Sequence, residues 1–138
     1  MKLSRRDALW VGFGSLAALV PSLALARTTD EMIAEFSGGS AVGEGGITLT
    51  APEIAENGNT VPVSVEAPGA VAIMLLAAGN PEPAVATFTF GPAAGRQMAA
   101  TRIRLASTQD VIALAKMADG SIVRAQATVK VTIGGCGG

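Results

Sequence analysis

The residue best suited to covalent chemistry is Cys136, the single cysteine of the chain. Glycines flank it on both sides: Gly134, Gly135, Gly137 and Gly138. Glycine has no Cβ and samples both signs of φ, so these residues impose no regular secondary structure. At about 3.3–3.6 Å per extended residue, Cys136 reaches up to roughly 10 Å beyond Ile133. Residues 134–138 therefore predict a flexible arm that offers a thiol to the active sites of other proteins. The alternative is a frayed tail whose cysteine has no role or pairs with another chain.

The side chains that usually assist a nucleophile are missing, because the chain has no histidine and no tyrosine. Histidine is the commonest general acid or base near neutral pH and the commonest metal ligand. Serine and cysteine hydrolases usually need an adjacent base. A zinc or copper site with one cysteine and no histidine is not expected either. The sequence thus predicts a protein that is not an enzyme and that holds no metal or cofactor.

The first 26 residues predict an export signal. Arg5 and Arg6 precede an apolar run over residues 8–20, and Ala24–Ala26 is typical of a cleavage site. The run is too short to span a bilayer of about 30 Å as a helix. Twin arginines favour the route that exports folded proteins, with an ordinary secretory signal as the alternative. We therefore expect a periplasmic protein without a membrane anchor.

The charge balance excludes some partners. The whole chain has 10 basic and 11 acidic residues, and loss of residues 1–26 leaves 7 basic and 10 acidic, a net charge of −3. No basic block remains to attract nucleic acid or an anionic membrane surface. The periplasm is oxidising, yet one cysteine cannot form an internal disulfide. An odd cysteine in an exported protein indicates an intermolecular or reactive role.

Two segments precede the body of the domain, and together they occupy residues 27–46. Thr28 and Glu31 have the spacing of a capping box, which predicts a helix over residues 30–36. Gly38 and Gly39 are expected to end this helix. Residues 37–46 are rich in glycine and predict a linker.

The pattern changes to a period of two from Ile47 onward, which predicts strands. Seven are expected, over residues 47–50, 61–66, 70–78, 85–90, 101–105, 111–117 and 123–133. With turn signals between them, they predict an all-β fold in which residues 47–133 form an antiparallel β-sandwich. In the last strand, the side chains on the side of Val129 are predicted to face the core, Ile133 among them.

Particular residues predict how these strands are connected. Asn57-Gly58 is typical of a β-hairpin, and Asp119-Gly120 of a tight turn into the last strand. Pro62 lacks an amide donor, so its strand is expected at a sheet edge or locally unpaired at that residue.

The strand over residues 70–78 is apolar on both faces. Ile73 and Leu75 can fill the core, but Met74 and Leu76 then face outward, where a sheet is normally polar. Exposed apolar patches often mark interfaces, so Met74 and Leu76 are predicted to contact a partner subunit. The alternative is that a loop or the N-terminal helix covers them.

An exported sandwich with one cysteine in a glycine tail resembles the SoxY family, the carrier subunits of the bacterial thiosulfate-oxidising Sox system. Besides the leader, the resemblance lies in residues 52–63, 80–88, 101–106 and 129–138. The tail and the sequence PEIAENG over residues 52–58 are together the most specific part. One departure is the strand over residues 70–78, which is more apolar than is expected of the family.

This resemblance implies an immunoglobulin-like fold and a tight heterodimer with a SoxZ-like subunit. It also implies that Cys136 holds sulfur intermediates covalently. In the family, a haem enzyme joins thiosulfate oxidatively to the thiol, and a dimanganese hydrolase then releases sulfate. A molybdenum-haem dehydrogenase oxidises the remaining sulfane sulfur. The chain itself is then a carrier that visits each enzyme in turn.

Two other classes share some of these features. Cytoplasmic sulfur carriers with ubiquitin-like folds end in Gly-Gly, but the export signal and the lack of an amphipathic crossover helix argue against them. An immunoglobulin-like structural module is the second class, in which Cys136 serves only for an intermolecular disulfide.

Overall fold

The structure, a computed structural model, describes residues 28–133, and residues 1–27 and 134–138 lie outside this range. The described part contains one helix, nine strands and the turns between them. In chain order the elements are α1 (Thr29–Ser37), β1 (Val42–Glu44), β2 (Thr48–Thr50), β3 (Ile54–Ala55), β4 (Val61–Glu66), β5 (Ala70–Ala77), β6 (Ala84–Thr89), β7 (Met98–Ile103), β8 (Gln109–Met117) and β9 (Ile122–Val131).

The strands form two sheets packed face to face. The larger has the order β1-β9-β8-β5-β6, with β3 also paired to β9, and the smaller has the order β2-β4-β7. Between them lies the main core, whose buried residues include Val61, Val63, Val65, Ile73, Leu75, Ile103, Val111, Ala113 and Val129. Alternate residues of β4 are buried because one face of that strand meets the core. The predicted all-β, immunoglobulin-like sandwich is confirmed.

Strand β9 has two parallel neighbours that the sequence analysis did not predict. Val42–Glu44 pairs in parallel with the start of β9, and Ile54–Ala55 pairs in parallel with its end. Residues 42–44 lie in the segment that was predicted to be a linker. Because β8 pairs with β9 along its other edge, these short strands satisfy backbone groups that an open edge would expose.

The hairpin predicted at Asn57-Gly58 is wrong. Strand β3 before it pairs with β9, whereas β4 after it pairs with β2 and β7, so the turn carries the chain from one sheet to the other. The two-residue hairpin turn favoured by Asn-Gly needs positive φ at both residues, and Gly58 does not have it. The turn predicted at Asp119-Gly120 is confirmed: it joins β8 to β9, and Gly120 has a φ of 90°.

Pro62 lies where β4 has a neighbour on one side only. Strand β7 pairs with β4 along its whole length and places Arg102 opposite Pro62. Strand β2 pairs with β4 only as far as Ser64, which is opposite Thr50. The predicted sheet edge is therefore confirmed for the part of β4 around Pro62, where β4 has no neighbour on the side away from β7.

The N-terminal helix has the predicted caps. The Thr28 N–H donates to Glu31 Oε2 at 2.9 Å, and the Glu31 N–H donates to Thr28 Oγ1 at 3.2 Å. Gly38 ends α1 in the left-handed conformation, with a φ of 63°. The apolar side of α1 lies on the outer face of the larger sheet. Within residues 28–133 no helix is long and apolar enough to cross a membrane.

Candidate functional site: the root of the carrier arm

The predicted carrier arm, residues 134–138, lies outside the described residues. This applies to Cys136 and to its flanking glycines, Gly134, Gly135, Gly137 and Gly138. The described residues end at Ile133, three residues before the cysteine. We call residues 130–133 the arm root, because they connect β9 to the arm. Between residues 28 and 133, no group of three or more histidine, cysteine, aspartate or glutamate side chains could hold a metal ion.

One side of the arm root is bound to the segment around β3. The Lys130 N–H donates to the Glu53 carbonyl at 2.9 Å, and the Thr132 N–H donates to the Ala55 carbonyl at 3.0 Å. Alternate residues of a strand donate to the same side, so these two bonds form a ladder. The Thr132 hydroxyl adds a third bond, to the Glu56 carbonyl at 3.0 Å.

The opposite side of the arm root is bound to the loop before β8. The N–H of Val131, which points away from β3, donates to Thr108 Oγ1 at 2.9 Å. The root is therefore held from both sides along the strand.

Gly58 binds the last residue before the arm. Its N–H donates to the Ile133 carbonyl at 2.8 Å, and its own carbonyl accepts from the Leu105 N–H at 2.8 Å. Gly58 is buried, and the turn around it is shaped by Asn57, whose Oδ1 accepts from the Asn59 N–H at 3.0 Å. The residues 52–58 that carry part of the family resemblance thus lie against the arm root, which sequence reasoning did not foresee.

A buried glutamine supports the loop that carries Thr108. Gln109 Oε1 accepts from the Gly79 N–H at 2.8 Å, and its Nε2 donates to Asn80 Oδ1 at 2.8 Å and to the Ser107 carbonyl at 3.0 Å. Sequence reasoning missed this role. The available signal was an amide side chain at the start of a strand whose central residues, 111–115, are all apolar.

Asn80 extends the same network to the end of β7. Its Nδ2 donates to the Arg104 carbonyl at 2.7 Å, and its Oδ1 also accepts from the Ala106 N–H at 2.9 Å. One side chain therefore fixes two backbone groups of the loop over residues 104–109. The loop is held in place by hydrogen bonds rather than by apolar packing alone.

Ile133 does not face the core, which corrects the prediction for the last strand. Val129 is fully buried, but β9 ends at Val131, and the Ile133 side chain is 63% exposed. Side chains alternate between the two faces only within a strand, so the predicted inward orientation does not hold for Ile133, which lies beyond the end of β9.

The expected outward exposure of Met74 and Leu76 is also corrected. Leu76 is 0% exposed, because Met32 of α1 lies over it together with Ile112 and Leu114. Met74 is half-buried at the rim of the same cluster. The alternative that the N-terminal helix covers this strand is confirmed, so Leu76 is a core residue. A partner contact at Met74 stays a prediction.

This cluster explains the unusual strand. We call Met32, Leu76, Ile112 and Leu114 the helix-covered cluster, and Ile33, Phe36, Val42 and Met74 pack against it. The residues of β5 are apolar on both faces because one face meets the main core and the other meets α1.

Comparisons with known proteins point to one family. Residues 33–136 match the family described as "Sulfur oxidation protein SoxY", a range that includes Cys136. No curated protein sequence matches the chain at a significant level. Among solved structures, the sulfur carrier protein SoxY from Chlorobium limicola f thiosulfatophilum is 37% identical, with a TM-score of 0.66. The match covers 75% of this chain and 96% of that one.

A second set of solved structures shares the fold alone. The superoxide reductase (neelaredoxin) of Ignicoccus hospitalis is 18% identical, with a TM-score of 0.56, and the match covers 78% of this chain and 95% of that one. The family match spans most of the chain, and the Chlorobium protein is 37% identical over a match that covers three quarters of it. The chain belongs to the SoxY family of sulfur oxidation proteins.

Proposed function

We propose that this protein is a periplasmic carrier that holds sulfur intermediates of thiosulfate oxidation covalently on Cys136 and presents them to partner enzymes. The observation that carries the proposal is the family match over residues 33–136, which extends through the cysteine. The hydrogen bonds at the arm root support it, because they give the arm a defined point of attachment to a rigid sandwich.

The proposed reactions require only a thiol from the carrier itself. Loading forms a bond between Cys136 Sγ and the outer sulfur of thiosulfate, and the two electrons released pass to the haem enzyme. Hydrolysis then adds water, releases sulfate and leaves a persulfide on Cys136, whose sulfane sulfur the dehydrogenase oxidises. A free thiol has a pKa of about 8.5, so only a small fraction is thiolate at neutral pH. Without any histidine in the chain, activation of the thiol falls to the enzyme that receives it.

The carrier acts in the periplasm after export by the twin-arginine route, and it works as a heterodimer with a SoxZ-like subunit. The twin arginines at Arg5 and Arg6 support the first part, and family membership supports the second. Cleavage after Ala26 removes Trp10, the only tryptophan, from a chain without tyrosine. The mature chain, once separated from any partner subunit, should therefore absorb almost nothing near 280 nm, and a clear tryptophan band would contradict processing.

The experiment that tests the function is intact mass spectrometry of the protein after incubation with thiosulfate and the haem enzyme. Wild type should gain the mass of a thiosulfate adduct, and Cys136→Ser should gain none. The same spectrum separates the alternatives. A simple disulfide-linked dimer would favour a structural module, and sulfur on the Gly138 carboxylate would favour the ubiquitin-like type of carrier.

A further inference from the structure

Asn57 and Gly58 form the only asparagine–glycine pair in the chain. In such a pair the amide nitrogen of the glycine can attack the carboxamide carbon of the asparagine, because glycine has no side chain to hinder the approach. The carboxamide C–N bond breaks, and its nitrogen leaves as ammonia with the proton of the glycine amide. Water then opens the resulting succinimide ring to aspartate or isoaspartate. Water is thus the one co-reactant.

The other two asparagines of the chain are poorer candidates for this reaction. Asn80 precedes Pro81, whose nitrogen has no proton to lose. Asn59 precedes Thr60, whose β-branched side chain crowds the attacking nitrogen. Asn57 is therefore the residue at which spontaneous deamidation is expected.

The Asn57 side chain is open to solvent, but hydrogen bonds hold it in the turn. Its Oδ1 accepts from the Asn59 N–H at 3.0 Å, and its backbone carbonyl accepts from the Thr60 N–H at 3.4 Å. To react, the carboxamide must turn towards the Gly58 nitrogen. The bond to Asn59 must therefore break or distort before the ring can close.

The attacking nitrogen is held as well. Gly58 is buried, its N–H donates to the Ile133 carbonyl at 2.8 Å, and its carbonyl accepts from the Leu105 N–H at 2.8 Å. A buried amide that donates a hydrogen bond resists loss of its proton, because the resulting anion would lose that bond without gaining solvent. The two bonds also fix the peptide groups on both sides of Gly58, so its nitrogen is not free to turn towards Asn57.

Two further bonds keep the same segment on the arm root. The Thr132 N–H donates to the Ala55 carbonyl, and the Thr132 hydroxyl donates to the Glu56 carbonyl. We call these two bonds, together with the bond from the Gly58 N–H to the Ile133 carbonyl, the root bonds. All three must be weakened for the turn around Gly58 to move away from the end of β9.

We propose that Asn57 is a site of spontaneous deamidation and that the root bonds keep its reaction slow. Local opening of the turn around Gly58 then controls the rate, and the root bonds set the free energy of that opening. This inference goes beyond the carrier function and does not depend on it.

The isoaspartyl product does not fit the turn. Its backbone runs through the side-chain carbons of residue 57, so the path from the Asn57 Cα to the Gly58 nitrogen is one atom longer. The Gly58 N–H is thereby displaced from the Ile133 carbonyl, and a new carboxylate appears beside Glu56. Deamidation therefore removes one of the bonds that had prevented it and loosens the arm root.

The test incubates the folded mature protein, with any subunit that copurifies, at mildly alkaline pH. The chain is then unfolded and cleaved after glutamate, which releases residues 57–66 because Glu56 and Glu66 bound them. Mass spectrometry with fragmentation measures deamidation at Asn57. A synthetic peptide of residues 53–63 gives the rate without tertiary contacts. Wild type should react at least about tenfold more slowly than this peptide, because several hydrogen bonds must open first.

Two variants weaken the root bonds in steps. Thr132→Val removes the hydroxyl bond and should raise the rate about two- to tenfold, the effect of one hydrogen bond. Thr132→Pro also removes the N–H that donates to the Ala55 carbonyl, so its rate should be higher still. Leu76→Ala is the matched control, because it lowers global stability through the helix-covered cluster and leaves the turn at Gly58 unchanged. It should react like wild type.

Three outcomes would overturn the inference. Folded wild type could react as fast as the peptide, or both Thr132 variants could react at the wild-type rate. If Leu76→Ala accelerated deamidation as much as Thr132→Val, the reaction would follow global unfolding and not the root bonds. Should Thr132→Pro fail to fold, the comparison of Thr132→Val with Leu76→Ala decides. Sulfur loading of Cys136 is not part of the measurement, so each outcome leaves the proposed function unchanged.

Discussion

Gly58 and Ile133, which are far apart in sequence, are joined by a hydrogen bond of 2.8 Å from the Gly58 N–H to the Ile133 carbonyl. The crossing between the two sheets is thereby bound to the residue that precedes the arm. Thr132 adds bonds to the Ala55 and Glu56 carbonyls. This arrangement gives the carrier arm a fixed origin on the sandwich.

The Thr132 hydroxyl should contribute measurably to this attachment. Thr132→Val keeps the shape of the side chain but removes its bond to the Glu56 carbonyl. We expect the free energy of unfolding to fall by about 0.5–1.5 kcal/mol. Denaturant unfolding measures this, and Thr89→Val, at an exposed position of the edge strand β6, is the control. Equal losses of stability in the two variants would show that the bond from the Thr132 hydroxyl makes no specific contribution.

Gln109 should matter more, because it is buried. Gln109→Met retains most of the side-chain volume but leaves the Gly79 N–H and the Ser107 carbonyl without their partner. The variant loses three part-buried hydrogen bonds, each worth about 0.5–1.5 kcal/mol, so the free energy of unfolding should fall by about 1.5–4.5 kcal/mol. Gln126→Met on the exposed side of β9 is the matched control, with an expected change within about 0.5 kcal/mol. A loss no larger than this control would contradict the role of the network.

Leu76 should behave as a core residue and not as an interface residue. Leu76→Ala leaves a cavity beneath α1 and should lower the free energy of unfolding by about 2–5 kcal/mol. Met74→Ala should cost less, because Met74 is only half-buried. Thermal or denaturant unfolding of each variant measures the difference. If Leu76→Ala kept full stability yet released a partner subunit, the helix would not cover this residue in the assembled protein.

Asp119 should titrate below its ordinary range. Hydrogen bonds from the Ser121 hydroxyl and then from the Ser121 N–H lower the pKa of its carboxyl group. Ser121→Ala should raise this pKa towards its ordinary value, which NMR titration of the Asp119 side chain can follow. Because the folded pKa lies below the unfolded value of about 3.9, these hydrogen bonds stabilise the folded protein at pH values above the unfolded pKa. This stabilisation is lost as the pH falls through the folded pKa. Wild type and variant should therefore converge in stability in strong acid, and an unchanged pKa would contradict the hydroxyl bond.

The arm should depend on its glycines as well as on its thiol. Gly135→Val and Gly137→Val add a β-branched side chain that restricts the backbone and widens the chain beside Cys136. We expect severalfold slower turnover by the partner enzymes, with unchanged reaction towards a small thiol reagent. Gly135→Ala is a milder control, because it adds one methyl group. Wild-type turnover of both valine variants would show that the glycines are dispensable.

Local sequence patterns determined the local features of this protein. The capping box at Thr28 and Glu31, the turn at Asp119-Gly120 and the alternation along β4 each depend on residues within a few positions of one another. Such patterns state which backbone conformation is favoured and which face is apolar. The carrier prediction likewise came from one short stretch around Cys136 together with the family resemblance.

Tertiary structure alone decided which elements meet. The apolar outer face of β5 was correctly recognised, but a helix about 40 residues earlier covers Leu76, and a partner subunit was predicted there instead. The Asn57-Gly58 turn crosses between sheets because β3 finds its partner in β9 and not in β4. The same pairing binds Gly58 to Ile133 and anchors the arm root. Periodicity indicates that a face must be covered or that a backbone group must be paired. Many distant segments could satisfy either requirement, and only the packing of the whole chain selects one.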